Sequence, residues 1–139
     1  MWNNLKDETC KAISSRETSI LWDIWHITRI EDLVSNILIG NKDTVFNDAV
    51  QKKLNIGIKD TGNSLSCSEI TELNSRINIR ELREYRIKQN GGVTDHPQSI
   101  WLLDFWGRKN VLGLIMMPIT RHQIVHMKDC FRIKQKFNK

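Results

Sequence analysis

The hydrophobic positions are most regular between residues 20 and 39. Apolar side chains recur there three or four residues apart, at positions 20, 24, 27, 30, 34, 37 and 38, so they would form one continuous stripe on a helix. Thr18 and Ser19 precede the stripe with capping side chains, and Gly40 follows it as a left-handed stop. The pattern predicts a long amphipathic helix that opens at Ser19 and ends at Ile39.

A second helical pattern occupies the C-terminal part of the chain, from about Arg108 to Ile133. Residues 111–117 are apolar on every face, so we expect them to be deeply buried. Pro118 has no backbone N–H to donate and disfavours helix at the residue before it, which predicts a kink or a break. A regular helix is expected from Ile119 onward.

The middle of the chain has weaker periodicity, interrupted by turn residues. Short helices are predicted at residues 43–54, from residue 66 onward, at 77–89 and at 99–106. Glu69 stands three residues after Ser66, which is the spacing of a capping box. Residues 59–63 and 90–97 carry turn and loop chemistry. Because no sustained alternation of period two indicates a strand, the chain is predicted to be all-α.

The length and the charge of the chain narrow the class of protein. A chain of 139 residues predicts a single domain spanning residues 1–139. The formal net charge is +5, and the segment 132–139 carries four positive charges and no negative one. A basic helix end complements the helix dipole, so this tail has an ordinary explanation. Since no long basic stripe interleaved with aromatic residues is present, we expect no nucleic-acid partner.

The cysteines and the apolar runs bear on cellular location. The three cysteines, Cys10, Cys67 and Cys130, are odd in number and form no CxxC pair. They suggest no disulfide framework, so we expect a reducing, cytoplasmic environment. The polar, charged N-terminus is unlike a signal peptide. No uncharged apolar run approaches the ~20 residues that span a bilayer, so no membrane partner is expected.

Two histidines, His122 and His126, stand four residues apart in the predicted C-terminal helix. On a helix this spacing places both imidazoles on one face, with Cβ atoms about 6 Å apart, so both rings could bind one cation. Random placement of four histidines in a chain of this length gives such a pair roughly 8% of the time, so the motif alone is weak. His96, in the polar loop, is expected to be solvated.

His26 lies midway along the predicted amphipathic helix. If its imidazole is buried it needs a polar partner, since an unpaired buried imidazole is costly. A metal ion shared with His122 and His126 would supply that partner. A hydrogen bond to Thr120, Asp129 or a backbone carbonyl would also serve, and the residue pattern alone favours this ordinary alternative.

Two side chains near the histidines have alternative interpretations. Asp23 stands three residues before His26, on the face where a carboxylate could orient an imidazole. The alternative is a solvated carboxylate in the first turn of the helix. Cys130, four residues after His126, is either a thiol near the site or inert packing.

The acidic residues after His26 are poor candidates for the site. Glu31 and Asp32 are rotated by ~140° and ~240° from His26 on a helix. They are therefore expected to form ion pairs with Arg29, Arg121 or other helices. No catalytic residue is assigned from the pattern.

The segments around the histidines resemble the DinB-like family of metal-binding helical bundles. Residues 19–32 are similar to the second helix of that family, and residues 117–126 to the start of its fourth helix. Residues 60–63 and 82–86 also resemble one branch of the family. The resemblance implies a four-helix bundle that holds one divalent metal ion and leaves coordination positions open. The implied metal ligands are His26, His122 and His126.

One departure from the family concerns the first helix. Family members carry a full helix before the His26 segment, whereas only residues 1–15 stand in that place. The first helix is therefore expected to be shortened. A shortened helix would leave an apolar stripe exposed, and the outcomes that this predicts are a compensating homodimer, a stunted bundle or a degenerate relative.

The resemblance implies metal-dependent, thiol-linked transferase or hydrolase chemistry with a small-molecule thiol as substrate. Three neutral imidazoles with an open position suit Zn²⁺ or Ni²⁺, which activate water or a thiol. The alternative is a non-catalytic helical bundle in which the histidines or the metal ion are structural only. The sequence leaves both interpretations open.

Overall fold

The computed structural model describes residues 7–12, 18–89, 100–103, 107–110 and 121–137. Within these residues the chain is mostly helical, which confirms the helical class expected from the sequence. The helices are α1 (Asp7–Lys11), α2 (Ile20–Asp32), α3 (Asp48–Leu54), α4 (Cys67–Arg76), α5 (Ile79–Gln89) and α6 (His122–Phe137), and a π-helical segment, Leu33–Ile39, continues α2. The strands β1 (Ile100–Leu103) and β2 (Gly107–Asn110) form an antiparallel pair.

Helix α2 is the centre of the fold. Each of its 13 residues is buried, polar side chains included. Ser19 caps the helix as predicted, because its hydroxyl accepts a hydrogen bond from Trp22 N at 3.0 Å. The same hydroxyl donates to Asn74 Oδ1 on α4 at 2.7 Å. Helices α1, α4, α5 and α6 all pack against α2, so its side chains contact several parts of the molecule.

The end of this long helix differs from the predicted one. Gly40 has a right-handed φ of −82°, and the left-handed residue is Asn41, with φ 47°. Asparagine tolerates this region better than most residues. Glycine is favoured at position 40 for a different reason. A Cβ there would lie 3.0 Å from the carbonyl oxygens of Ser35 and Asn36, which approach closely because the last turns are π-helical.

The short helices begin where side chains cap them. Asn47 caps α3 by accepting a hydrogen bond from Val50 N at 3.0 Å, so the predicted helix at 43–54 begins only at residue 48. The predicted capping box of α4 is confirmed. Ser66 accepts from Glu69 N, and Glu69 Oε2 accepts from Ser66 N at 2.8 Å. Helix α5 falls within the predicted range 77–89.

Two predictions for the later part of the chain are wrong. Residues 100–103 form strand β1 where a short helix at 99–106 was expected, and residues 107–110 form strand β2 where the last helix was expected to begin, near Arg108. A short apolar run fits a strand as well as a buried helix, so periodicity could not separate the two. Within the described residues, helix α6 extends over His122–Phe137. The predicted loop at 90–97, the apolar run at 111–117 and the break at Pro118 lie outside the described residues.

A buried carboxylate at the end of α2 connects this helix to the loop before α3. The side chain of Asp32 is fully buried. Its two oxygens accept hydrogen bonds from five donors: Asn36 Nδ2 at 2.6 Å, Val45 N at 2.9 Å, Phe46 N at 2.9 Å, Tyr85 Oη at 2.6 Å and Arg29 Nη1 at 3.4 Å. Such full satisfaction offsets the cost of burying the charge.

The partners of this carboxylate are themselves buried. The Arg29 guanidinium lies over the Phe46 ring, 4.3 Å from its centroid, and contacts Asp32. Burial, with the nearby Asp32 charge, raises the pKa of Tyr85, so its phenol stays a proton donor. Glu31 pairs with Arg86 at 3.4 Å. The expectation that Glu31 and Asp32 form ion pairs, rather than join the histidines, is confirmed.

The tryptophans of α2 extend the core around this network. Trp25 is fully buried, with its ring edge-on to Phe46 at a centroid distance of 5.3 Å. Aromatic pairs at such distances add to the free energy gained from burial alone.

Among the helices of the described residues, none combines the length and the apolar character that a membrane span requires.

Candidate metal centre

Three histidines that the sequence places far apart lie together between α2 and α6. His122 Nε2 lies 3.1 Å from His26 Nε2 and 3.1 Å from His126 Nε2. One nitrogen from each ring lies within 4.8 Å of the other two, a grouping that could hold a metal ion. The predicted site residues His26, His122 and His126 are thus brought to one place.

Helical geometry explains why the three histidines lie close together. His26 is buried on the side of α2 that packs against α6. On α6, residues four apart share a face. His122, His126 and the buried Cys130 lie along that face, whereas Ile124 and Val125 are exposed. The face of α6 that carries the histidines is therefore the one that packs inward.

In two of the histidines, the ring nitrogen that faces away from the cluster, Nδ1, forms a hydrogen bond. His26 Nδ1 lies 2.8 Å from the carbonyl oxygen of Thr61, and His126 Nδ1 lies 2.6 Å from Asp23 Oδ1. A carbonyl oxygen only accepts, so His26 carries its proton on Nδ1 and presents an Nε2 lone pair. A backbone carbonyl was one of the partners expected for a buried His26, and the other ring nitrogen still faces His122.

The converging nitrogens have more lone pairs than protons. Burial lowers the pKa of His26 to about 4 and that of His122 to about 4, so both rings are neutral at pH 7. A single N–H on His122 can be donated to only one of its two neighbours at a time. When the His122 proton lies on Nδ1 instead, all three Nε2 atoms present lone pairs, and one cation would satisfy them together. Tetrahedral coordination with metal–nitrogen distances of about 2.0–2.1 Å separates the nitrogens by about 3.3 Å. This is close to the 3.1 Å between His122 Nε2 and the Nε2 atom of each of the other two rings.

Trp22 holds the ring plane of His26. The two rings stack with centroids 4.8 Å apart and an angle of 7° between their planes. The indole Nε1 donates to the carbonyl oxygen of Gly62 at 3.0 Å, which fixes the tryptophan in turn. Trp22 also contacts the His126 ring, at a centroid distance of 5.6 Å. This side chain thus covers one side of the cluster with apolar surface.

Asp23 orients an imidazole, but the imidazole is that of His126 on the neighbouring helix. The carboxylate is 1% exposed, so the alternative of a solvated side chain is wrong. Oδ1 accepts from His126 Nδ1, and Oδ2 accepts from the Cys130 thiol at 3.6 Å. Burial raises the pKa of Asp23, while these two hydrogen bonds favour its charged form. Carboxylates in this position fix the tautomer of ligand histidines and raise their basicity.

Cys130 contributes a proton donor to the cluster. Burial, followed by the nearby Asp23 charge, raises the pKa of its thiol. A thiol held in its protonated form is a poor nucleophile and a poor metal ligand, since both roles need the thiolate. Cys130 therefore lies near the site through Asp23 and packs there as a neutral side chain.

Replacing Asp23 with alanine is expected to weaken Zn²⁺ affinity by about 10–100-fold, the usual cost of losing the carboxylate behind a ligand histidine. Asp48, whose side chain is 90% exposed, offers a matched control: Asp48→Ala should leave the affinity unchanged. Competition with a chromophoric chelator measures both. Equal affinity in the two variants would contradict the role given to Asp23.

No protein-family model matches the chain, and comparisons with curated proteins and with solved structures return no match.

The sequence did not identify the backbone carbonyls around the site. Thr61 and Gly62 lie in the predicted turn at 59–63, and Gly62 has a left-handed φ of 77°. The turn residues were a visible signal, but their contact with Trp22 and His26 depends on how the loop packs against α2. The position of His96 lies outside the described residues.

Proposed function

We propose that this chain is a divalent-metal-binding protein of the DinB-like type whose ligands are His26, His122 and His126. One observation carries the proposal. The Nε2 atoms of His26 and His126 each lie 3.1 Å from His122 Nε2, while the Nδ1 atoms of His26 and His126 form hydrogen bonds to Thr61 and Asp23. Ligand histidines in proteins typically show this pattern of one nitrogen inward and one hydrogen-bonded.

The donor set favours borderline metal ions. Three imidazole nitrogens suit Zn²⁺ or Ni²⁺, whereas Mg²⁺ and Ca²⁺ prefer oxygen ligands. Such an ion, when bound, would act as a Lewis acid toward a water molecule or a thiol. The chain's own contribution is to hold the three rings, fix two tautomers through Thr61 and Asp23, and cover one side with Trp22.

The assignment to the DinB-like type is supported by the arrangement of the ligands along the chain. One ligand stands on an early helix, α2, and two stand four residues apart on the last helix, α6. These two helices pack against each other. This is the order and pairing that the sequence resemblance implies.

Titration of metal-free protein with Zn²⁺, Ni²⁺ and Mg²⁺ tests the proposed function. We expect one Zn²⁺ or Ni²⁺ per chain by calorimetry and no saturable uptake of Mg²⁺, which serves as the control ion. At a free Zn²⁺ concentration of 100 times Kd, binding should also stabilise the fold by about 2.7 kcal/mol. Absence of Zn²⁺ and Ni²⁺ binding, or equal binding of Mg²⁺, would sink the proposal.

A catalytic role, as a thiol-linked transferase or hydrolase, and a structural role make different predictions. Three protein ligands leave a fourth position for substrate, and His122 is only half-buried. A structural role is favoured by the 96 residues that separate His26 from His122, because a metal ion bound to both would close a long loop. Adding a small thiol to Co²⁺-loaded protein should change the visible spectrum if the position is open. An unchanged spectrum favours the structural role.

Two finer expectations from the sequence stay predictions. A small-molecule thiol substrate follows only from the family resemblance, and a homodimer follows only from the expectation that a shortened first helix leaves an apolar stripe exposed. Sedimentation velocity at two protein concentrations would measure the oligomeric state directly.

A further inference from the structure

Three side chains on one face of α2 hold the loop formed by residues 59–62. Each donates a hydrogen bond to a different backbone carbonyl of this loop. The pairs are Arg29 Nη2 to Lys59 O at 3.0 Å, His26 Nδ1 to Thr61 O at 2.8 Å and Trp22 Nε1 to Gly62 O at 3.0 Å. The donors are three and four residues apart on α2, so they lie in a row along the helix.

The conformation of the 59–62 loop is also fixed by interactions among the loop's own residues. Gly62 has φ 77°, a region that side chains other than glycine rarely adopt. Its N–H donates to Asp60 Oδ1 at 2.7 Å, which closes the turn. A Cβ at Gly62 would lie 3.3 Å from Trp22 Nε1 and 3.4 Å from both Leu65 Cδ1 and Trp25 Cδ1. An alanine at this position would therefore push against the indole that covers the His26 ring.

The far end of the loop is anchored to the buried polar network. Arg29, which holds Lys59 O, also contacts Asp32 and donates to Tyr85 Oη at 3.3 Å. The loop therefore spans the distance between a rigid buried cluster and the histidines. A change in the conformation of the loop should therefore move the His26 ring more than it moves the side chains of the buried polar network.

We infer that the 59–62 loop is the positioning element of the metal centre, with the Thr61 carbonyl fixing the tautomer and ring orientation of His26. The inference rests on the proposed metal-binding function. The loop contributes no ligand. It acts by keeping the His26 proton on Nδ1, so that the Nε2 lone pair faces His122 and His126.

Coupling between the loop and the metal ion is reciprocal. If the ordered loop raises metal affinity, a bound metal ion must stabilise the ordered loop by the same factor. Zn²⁺ binding should therefore slow hydrogen exchange at the Gly62 amide, whose N–H is held by Asp60. Metal affinity should in turn fall when the turn is disturbed.

Glycine substitutions in the full chain provide the main test. Gly62→Ala is expected to lower Co²⁺ affinity by about 10–100-fold and to alter the visible absorption of the bound ion, since the geometry of one ligand changes. Gly57→Ala is the matched control, because nothing lies within 4 Å of a Cβ at Gly57. It should bind Co²⁺ with the affinity and the spectrum of the unmodified protein.

Substitutions at Asp60 keep the inference testable if Gly62→Ala does not fold. Asp60 is exposed, so its replacement leaves the core intact. Asp60→Ala removes the acceptor for the Gly62 N–H and should lower Co²⁺ affinity several-fold. Asp60→Asn keeps an acceptor oxygen in the same place and should restore both the affinity and the spectrum. The Co²⁺ spectrum separates this effect from a loss of folded protein, because a smaller folded fraction lowers the absorbance without shifting the bands.

The possible outcomes distinguish a failure of the inference about the loop from a failure of the proposed metal centre. Loss of affinity in Gly62→Ala and Asp60→Ala, with rescue in Asp60→Asn, supports the inference. If these variants bind Co²⁺ as the unmodified protein does, while His26→Ala binds weakly, the metal centre stands and the inference about the loop is overturned. If the unmodified protein binds no Co²⁺, the proposed function fails and the inference fails with it.

Discussion

Replacing His122 with alanine is expected to lower Zn²⁺ affinity by more than the ~10–100-fold that loss of an outer hydrogen-bond partner causes, because a direct ligand is removed. His122 lies 3.1 Å from both of the other Nε2 atoms, so it is the central member of the cluster. The variant should keep its fold, since this half-buried ring leaves Asp23 and Thr61 with their present partners. Equilibrium dialysis followed by elemental analysis measures the remaining affinity.

The neighbouring position provides the control for this experiment. Gln123→Ala changes the same turn of α6 and leaves all three histidines in place. It should bind one Zn²⁺ per chain with unchanged affinity. If His122→Ala and Gln123→Ala retain equal amounts of zinc, the three-histidine centre is contradicted, whatever other metal binding the protein shows.

Replacing Asp32 with alanine is expected to destabilise the fold by about 3–5 kcal/mol, the range for removing one partner of a buried ion pair. The change leaves the Arg29 charge buried without its carboxylate and deprives the Val45 and Phe46 amides of their acceptor. Urea unfolding in the presence of a chelator measures the free energy of unfolding without any metal contribution.

Asp48→Ala is the matched control, because that carboxylate is 90% exposed and its pair with Lys59 is screened by solvent. Its effect should stay within about 0.5 kcal/mol. A loss below about 1 kcal/mol in Asp32→Ala would mean that the buried network contributes little to stability. Arg29 would then give the 59–62 loop only a weak anchor.

Local patterns in the sequence predicted the elements whose causes are themselves local. The Ser19 cap and the Ser66 and Glu69 capping box depend on side chains a few residues apart, and each is found in the structure. The apolar stripe correctly indicated a helix, but all sides of α2 are buried, and Ile37 of the stripe is exposed. The spacing of His122 and His126 likewise placed both rings on one helix face. Helical periodicity was therefore sufficient to assemble two of the three histidines of the candidate site.

Features that depend on contacts between distant segments could not be predicted in this way. Nothing in the spacing indicated that Asp23 would bond to His126, 103 residues away, and not to His26 on its own helix. The Thr61 carbonyl has no side-chain signature at all. The short run at 100–103 pairs with 107–110 as a strand, and that pairing overrides any helical tendency of its apolar residues.

The end of the π-helical segment that continues α2 is an intermediate case. A glycine after the last apolar position correctly indicated a helix end near residue 40, but the reason was different. The π-helical turns bring the Ser35 and Asn36 carbonyls within 3.0 Å of a Cβ at Gly40, and Asn41 adopts the left-handed conformation. A single-residue propensity cannot distinguish these two uses of glycine.

X-ray absorption spectroscopy of the zinc-loaded protein tests the central claim most directly. We expect three imidazole nitrogens at about 2.0–2.1 Å, and a remaining position filled by a light atom. Loss of the zinc on dialysis, or a first shell with sulfur at about 2.3 Å, would contradict the account, because the Cys130 thiol is assigned here as a protonated donor to Asp23. A spectrum with three imidazoles and no sulfur in the unmodified protein, together with its loss in His122→Ala, would support His26, His122 and His126 as the metal ligands.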